Sequence, residues 1–348
     1  MKAMDSKSMP RIKRGCSVLA HTPDCVEVRL GVWNTLSHTI VDESGSGNLW
    51  HIVSQLNGSL TLSQIAQNAG ASRRDVEAVV DQLLALDVIE SQPSNFLDYY
   101  LEVVTGEGAM PPVGSLRPIV LVGSPELTKP LHSVLSQTLP CLTIEVHGWD
   151  DPICAPLTGH DRSWLLDGLQ FERTAALFEE WQGKLLVFAA NAVNPLVCQA
   201  INRVCLHHDV SWLHAATDGP FILVGPLVVP RRTACWECFE TRVFMNLREA
   251  AVYQRYKNAL VSSQVPGNGQ SNSAVLASML MSLTAMEALA FAATGDSTTL
   301  GSVLSIYLPT MEFSMNEVLR LPGCAACAPL PERDDEELYF DARILLGE

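Results

Sequence analysis

Two Cys-x-x-Cys pairs, Cys235-Trp236-Glu237-Cys238 and Cys324-Ala325-Ala326-Cys327, carry the clearest chemistry in this chain of 348 residues. Each pair brings two sulfurs close enough to occupy two corners of a tetrahedron, and Zn2+ accepts four thiolates at about 2.3 Å in a closed site. One such pair alone would fit a redox motif equally well. Two pairs point to a structural four-cysteine zinc centre joining distant segments, with disulfides or chance among ten cysteines as the competing readings. A centre closed by four sulfurs leaves no open position for a substrate, so no catalytic residue is assigned. Cys198 and Cys205 share one face of a helical pattern and read as core. Only His207 and His208 stand near enough in sequence to activate a nucleophile. Cys16, Cys25, Cys141 and Cys154 have no partner spacing.

Composition bounds the function classes. Hydrophobic residues make up 47% and charged residues 18%, which excludes a disordered chain. Lys and Arg number 23 against 38 Asp and Glu, a net charge of −15 that argues against a nucleic-acid partner. The N-terminal MKAMDSKSMPRIKRG has no apolar core of a secretory signal, so the expectation is a cytoplasmic protein with reduced cysteines. The run Ala274 to Ala293 is long enough to span a bilayer. Glu287 lies inside it and Ser278, Ser282 and Thr284 dilute it, so it reads as a buried helix of a large domain or subunit interface, with no membrane partner.

Residues 1–15 read as a loose basic arm. Val26–Leu30 and His38–Asp42 form an expected β-hairpin from their β-branched content. Three helical patterns follow: Leu49–Leu56, ended by Asn57-Gly58; Leu62–Asn68, opened by Thr61 and closed at Gly70; and Arg73–Leu86, capped by Ser72. Val88-Ile89 then extends as a wing-like strand. Residues 1–92 are thus expected to hold a winged helix-turn-helix. Such a shape can bind DNA, but Arg73 and Arg74 are outnumbered by Asp75, Glu77, Asp81 and Asp87. Its other use is peptide capture, in which an extended peptide adds a strand to the hairpin edge and fills the groove beside the third helix. The expected contacts are His38, Thr39, Ile40, Val41 and Asp42 along the edge, with Arg73, Arg74, Val76, Glu77 and Val80 on the helix. The arginines would meet acidic peptide residues, and the two valines would form the floor or belong to the core.

Residues 93–115 read as a linker rich in glycine and proline, and 331–348 as an acidic tail with apolar patches able to dock on a partner. Between them, 116–330 alternates strand and helix: Ile119–Val122, a helix around Leu127–Leu135, Leu142–Val146, Leu185–Ala189, a helix Pro195–His207, and Ser211–Leu213. An antiparallel pair, Phe221–Val224 with Leu227–Val229, completes the expectation of an α/β domain with a mostly parallel sheet. The first strand–helix turn, Val122-Gly123-Ser124-Pro125-Glu126, keeps one glycine of a G-x-G-x-x-G pattern. Pro125 lacks an N–H and Glu126 is negative where phosphate would sit, so no ATP is expected as a cofactor. Asn191 and Asn194 follow the third strand where a magnesium-binding carboxylate would be needed. Trp149-Asp150-Asp151 stands where nucleotide folds place a ribose-binding acid, and reads here as a vestige or a loop.

The segment GPLVVPRRTACWECFETR, the helix SLTAMEALAF and the closing CAAC resemble the ThiF-like, ubiquitin-activating-enzyme-like family over residues 116–328. LNGSLTLSQIAQNAGASRRDVEAVVDQLLALDVIE resembles a RiPP recognition element, the winged helix that binds leader peptides of ribosomally made natural products. Together they resemble the partner protein of azoline-forming cyclodehydratases. The resemblance implies a degenerate Rossmann-type domain with a structural zinc on the four cysteines, a precursor leader peptide as ligand, a YcaO-type subunit that uses ATP, and a homodimer. A peptide-adenylating enzyme with an unusual nucleotide loop and a winged-helix regulator are the alternatives.

Overall fold

The structure is a computed structural model that describes residues 8–31, 33, 37–90, 116–159, 161–262, 264–265 and 273–328. The chain divides into two compact units, Met1–Met110 and Pro111–Glu348. The expected linker 93–115 and tail 331–348 lie outside the described residues.

In the first unit, β1 (Arg11–Ile12) is followed by β2 (Cys16–Thr22), β3 (Cys25–Leu30) and β4 (Ser37–Val41). Helices α1 (Leu49–Val53), α2 (Leu62–Ala69) and α3 (Arg73–Ala85) come next, then β5 (Ile89–Glu90). Strands β2, β3 and β4 make an antiparallel sheet in that order, with Val26 opposite Ile40 and Val28 opposite His38. The helix starts are written locally. Thr61 and Gln64 form a capping box before α2, Gly70 closes that helix at φ 65°, and Ser72 with Asp75 box the start of α3. Val26, Val28 and Ile40 from the sheet pack with Ile52, Leu62, Ile65, Val76, Val80 and Leu83 from the helices.

Two expectations change here. The 1–15 arm is not loose throughout, because Arg11–Ile12 pairs antiparallel with Ile89–Glu90 and Ile12 N–H donates to Leu56 O at 2.9 Å. The expected wing-like strand after α3 therefore pairs with the N-terminal segment. The hairpin itself gains a third strand, β2, whose half-exposed CSVLAHT has only a weak alternation. Both errors involve pairing between segments that no local period announces.

The second unit is built on β6 (Ile119–Gly123), α4 (Pro125–Thr138), β7 (Ile144–Gly148), β8 (Leu185–Ala190), α5 (Pro195–His207), β9 (Ser211–Asp218) and β10 (Phe221–Val228). Then come α6 (Trp236–Asn246), α7 (Ala250–Val261), α8 (Ala274–Thr294), β11 (Ser302–Tyr307) and β12 (Glu312–Glu317). The seven strands lie in the order β12-β11-β10-β9-β8-β6-β7. The four strands β7, β6, β8 and β9 run parallel, and the other pairings are antiparallel. The sheet is therefore mixed, not mostly parallel. β6 and β8 are buried at every residue, which is why each reads as an unbroken apolar run.

Phe221–Val224 and Leu227–Val228 prove to be one strand instead of a hairpin. The register against β9 shifts between Val224 and Leu227, a bulge at Gly225-Pro226 that local sequence reading takes for a turn. Among the described residues α8 is long and apolar enough to cross a membrane, but it lies on α4 and on β8, β9 and β10. Its Glu287 is buried, with the carboxylate accepting hydrogen bonds from the Thr298 hydroxyl and from Thr299 N–H and Oγ1–H, the latter two at 2.8 Å. Satisfied this way, one charge fits inside an otherwise apolar helix.

Candidate functional site

The fold brings the four expected cysteines together. Cys235 precedes α6 and Cys238 lies in its first turn, while Cys324 and Cys327 sit on a turn closed by Ala328 N–H donating to Cys324 O at 3.0 Å. All four sulfurs lie within 4.8 Å of one another. The Sγ separations are 3.9 Å for Cys235–Cys238, 3.7 Å for Cys235–Cys324 and 3.5 Å for Cys238–Cys327. Bonds of about 2.3 Å in a tetrahedron require sulfurs roughly 3.8 Å apart, whereas a disulfide needs about 2.05 Å. The donor set and its spacing fit Zn2+ and do not fit disulfides. Burial pushes the Cys238 thiol up to about 11 and the Cys235 thiol higher still. At Cys324 burial acts the same way, but the backbone N–H groups of Ala326 and Cys327 together with hydrogen bonds to the Cys238 and Cys235 thiols outweigh it and lower the thiol. A cation is what would let these thiols ionise together.

Two arginines frame the cluster, and sequence reading identified neither. Arg203 on α5 grips Glu237 through two hydrogen bonds of 2.5 and 2.8 Å and donates to Ala325 O at 3.0 Å, tying one Cys-x-x-Cys turn to the other. Arg320 donates to Cys327 O at 2.6 Å and to Arg231 O at 3.1 Å. Leu321 N–H points at Cys238 Sγ, 3.4 Å away. Outer-shell donors of this kind orient thiolates and offset the net negative charge of a four-thiolate zinc centre. Arg203 lies on the less buried face of α5 with Gln199 and His207, where an ordinary surface arginine gives no signal of a role.

In the first unit, β4 is an edge strand among the described residues, so half its backbone N–H and C=O groups face away from β3 with no described strand beyond. Between that edge and α3 lies a groove of about 470 Å³ lined by Val41, Asp42, Glu43, Leu49, Ile52, Asp75, Ala78, Val79 and Gln82, among others. The expected edge residues are placed as follows. Thr39 and Val41 are exposed, His38 and Asp42 half-buried, and Ile40 is buried with its side chain in the core while still reaching the groove. The helix residues divide differently. Val76 and Val80 are 0% and 1% exposed and belong to the core, so neither is an accessible floor. Arg73 is ion-paired to Glu77 at 2.8 Å, and neither lines the groove, nor does Arg74. The lining face is instead Asp75, Ala78, Val79 and Gln82, at helical spacing and turned from the Val76–Val80–Leu83 stripe.

The loop after β6 is packed shut. Gly123 has φ +141°, and a Cβ there would stand 1.9 Å from Ala189 O, so glycine is needed for close contact with β8. Ser124 N–H donates to Ala189 O at 2.9 Å, and Pro125 begins α4. Two of the N–H positions that could cradle phosphate are thus engaged or missing. Asp151 caps a short helical turn through Ile153 N–H at 3.1 Å and bonds His147 Nδ1 at 2.7 Å. Asp150 lines a hollow of about 380 Å³ with Lys129, His132 and Gly148. Cys198 and Cys205 are fully buried, and burial raises both thiols well above the ordinary value, which fits core positions.

No protein-family model and no curated protein sequence matches the chain. Solved structures do. The heterocyclase TruD superposes with a TM-score of 0.63 at 18% identity, over 92% of this chain and 43% of that one. The chain shares its fold with TruD. A heterocyclase in complex with substrate and cofactor gives a TM-score of 0.63 at 17% identity, over 92% of this chain and 39% of its own. Escherichia coli MccB, bound to MccA-N7isoAsn, gives 0.53 at 12% identity over 92% and 99%. The chain therefore spans less than half the length of the two heterocyclases and nearly all of MccB. At these identities the likeness is one of fold, to heterocyclases and to a microcin C7 biosynthetic enzyme.

Proposed function

We propose that this protein is a leader-peptide-binding, non-catalytic subunit of a RiPP-modifying assembly, a winged-helix recognition element joined to a degenerate ThiF-like domain. In this reading it presents a ribosomal precursor peptide to a YcaO-type, ATP-dependent cyclodehydratase that forms azoline rings. The observation that carries it is the β4 edge, unpaired by any other described strand, beside a groove along α3, the arrangement that strand addition requires. The fold likeness to two heterocyclases, over less than half of their length, supports placing the chain in heterocycle-forming chemistry. The four cysteines would hold a structural Zn2+, and cytoplasmic location and homodimer formation belong to the same proposal. Duplex DNA is disfavoured by the excess of carboxylates along α3.

One observation supports a second reading as a peptide-adenylating enzyme: the Lys129–His132–Asp150 hollow at the end of β7, in a chain that matches MccB over nearly its full length. Calorimetric titration of the zinc-loaded protein with Mg·ATP separates the two, at concentrations that would detect a Kd of about 100 μM, roughly −5.5 kcal/mol. No heat of binding is expected. Saturable binding would place the adenylating reading first.

A further inference from the structure

We infer that the peptide segment held along β4 carries a lysine or arginine facing Asp42, Glu43 and Asp75, beside apolar residues seated on Val41 and Val79. The inference rests on the peptide-binding reading above and gives that site its substrate chemistry. The groove lining includes three carboxylates and, among its lining residues, no lysine, arginine or histidine.

Two of the carboxylates are fixed by the fold. Asp42 accepts from Ser46 Oγ at 2.6 Å, Ser44 Oγ at 2.7 Å and Ser44 N–H at 2.9 Å, and these bonds, the Ser46 hydroxyl first, hold its carboxyl down at about 2. Asp75 is held by Ser72 N–H and Oγ–H through its Oδ2. Glu43 is exposed at the rim.

Neither arginine at the start of α3 neutralises them. Arg73 is turned to Glu77, and Arg74 stands exposed outside the lining. An acidic peptide laid along this edge would meet three like charges, whereas a basic side chain would bridge the two walls of the groove. The apolar lining supplies the seat that an alternating extended strand needs on its inward face.

The test is a display selection from a random peptide library against the full-length, zinc-loaded protein, followed by affinity measurement of individual winners. The expected winners alternate apolar residues with lysine or arginine. Each should weaken about two- to five-fold on Glu43→Gln or Asp75→Asn, and should weaken further as salt is raised. Thermal melts of both variants show whether the fold is kept. Winners dominated by Asp and Glu would overturn the charge inference while leaving peptide binding intact, as would basic winners indifferent to both substitutions. Winners unaffected by Val79→Asp, or no winners at all, would overturn the groove itself.

Discussion

Val79 and Val80 are adjacent on α3, yet they should respond in opposite ways to the same substitution. Val80 is 1% exposed and packs in a core with Val76 and Leu83, both at 0%. Val80→Asp forfeits about 1.5–3 kcal/mol of buried apolar surface. It also places an unpaired carboxylate where burial of a charge costs several kcal/mol more. A combined loss of about 5 kcal/mol or more is a large share of the roughly 5–15 kcal/mol that holds a domain together. Val79 is half-exposed and faces the groove, so Val79→Asp should cost about 1 kcal/mol or less and act on ligand instead. The assay is hydrogen exchange of amides in β3, α1 and α3, read beside peptide affinity for each variant. The expected result is loss of protection in Val80→Asp, and native protection with weakened peptide binding in Val79→Asp. Native protection in Val80→Asp would refute this account of which helix face is core.

Three other outcomes follow from the second unit. Cys238→Ser, or strong chelation, should remove one bound zinc per chain and lower the melting temperature. Apparent zinc energies of about 10–16 kcal/mol in small four-ligand sites make even a partial contribution measurable, and a metal-free Cys235→Ser protein that melts like wild type would refute a structural role. His214 is fully buried, and desolvation lowers its pKa from 6.5 to about 4 even though its ring bonds Gly225 O at 2.9 Å. Below about pH 6.5 the unfolded chain therefore binds a proton that the folded chain refuses, so stability should be full above that pH and decline by up to about 3 kcal/mol toward pH 4. Denaturant titrations across that window check it, and His214→Gln should flatten the slope. Glu287→Ala strands the Thr299 N–H and hydroxyl inside the protein and should cost about 2–4 kcal/mol, against less for Glu287→Gln, by chemical denaturation.

What the sequence made legible depended on whether the signal was local. The unbroken apolar runs at Ile119 and Leu185 mark strands buried on both faces, and the caps at Thr61 and Ser72 mark helix starts that the structure keeps. The cysteine pairs were legible because their spacing encodes a turn, and the fold had only to bring two turns together. What stayed hidden was set by distant pairing. SVLSIY and EFSMNE become β11 and β12 because β10 offers an edge, and their own mixture of polar and apolar residues announces no strand.

The groove shows the same limit at finer scale. Helical spacing groups Val76, Val80 and Leu83 into one stripe and Asp75, Val79 and Gln82 into another, but only the packing of α1, α2 and the sheet into a common core decides which stripe is covered. With that core on the valine stripe, Arg73 and Glu77 are left to pair with each other and Asp75 lines the groove with Asp42 and Glu43 from another segment. Read alone, α3 offers two arginines at its start and suggests an acidic ligand. Read with β4 beside it, the same helix contributes a carboxylate to a wall of carboxylates. The sign of the charge a peptide meets is thus a property of the assembled groove, and it is the feature most open to a direct binding experiment.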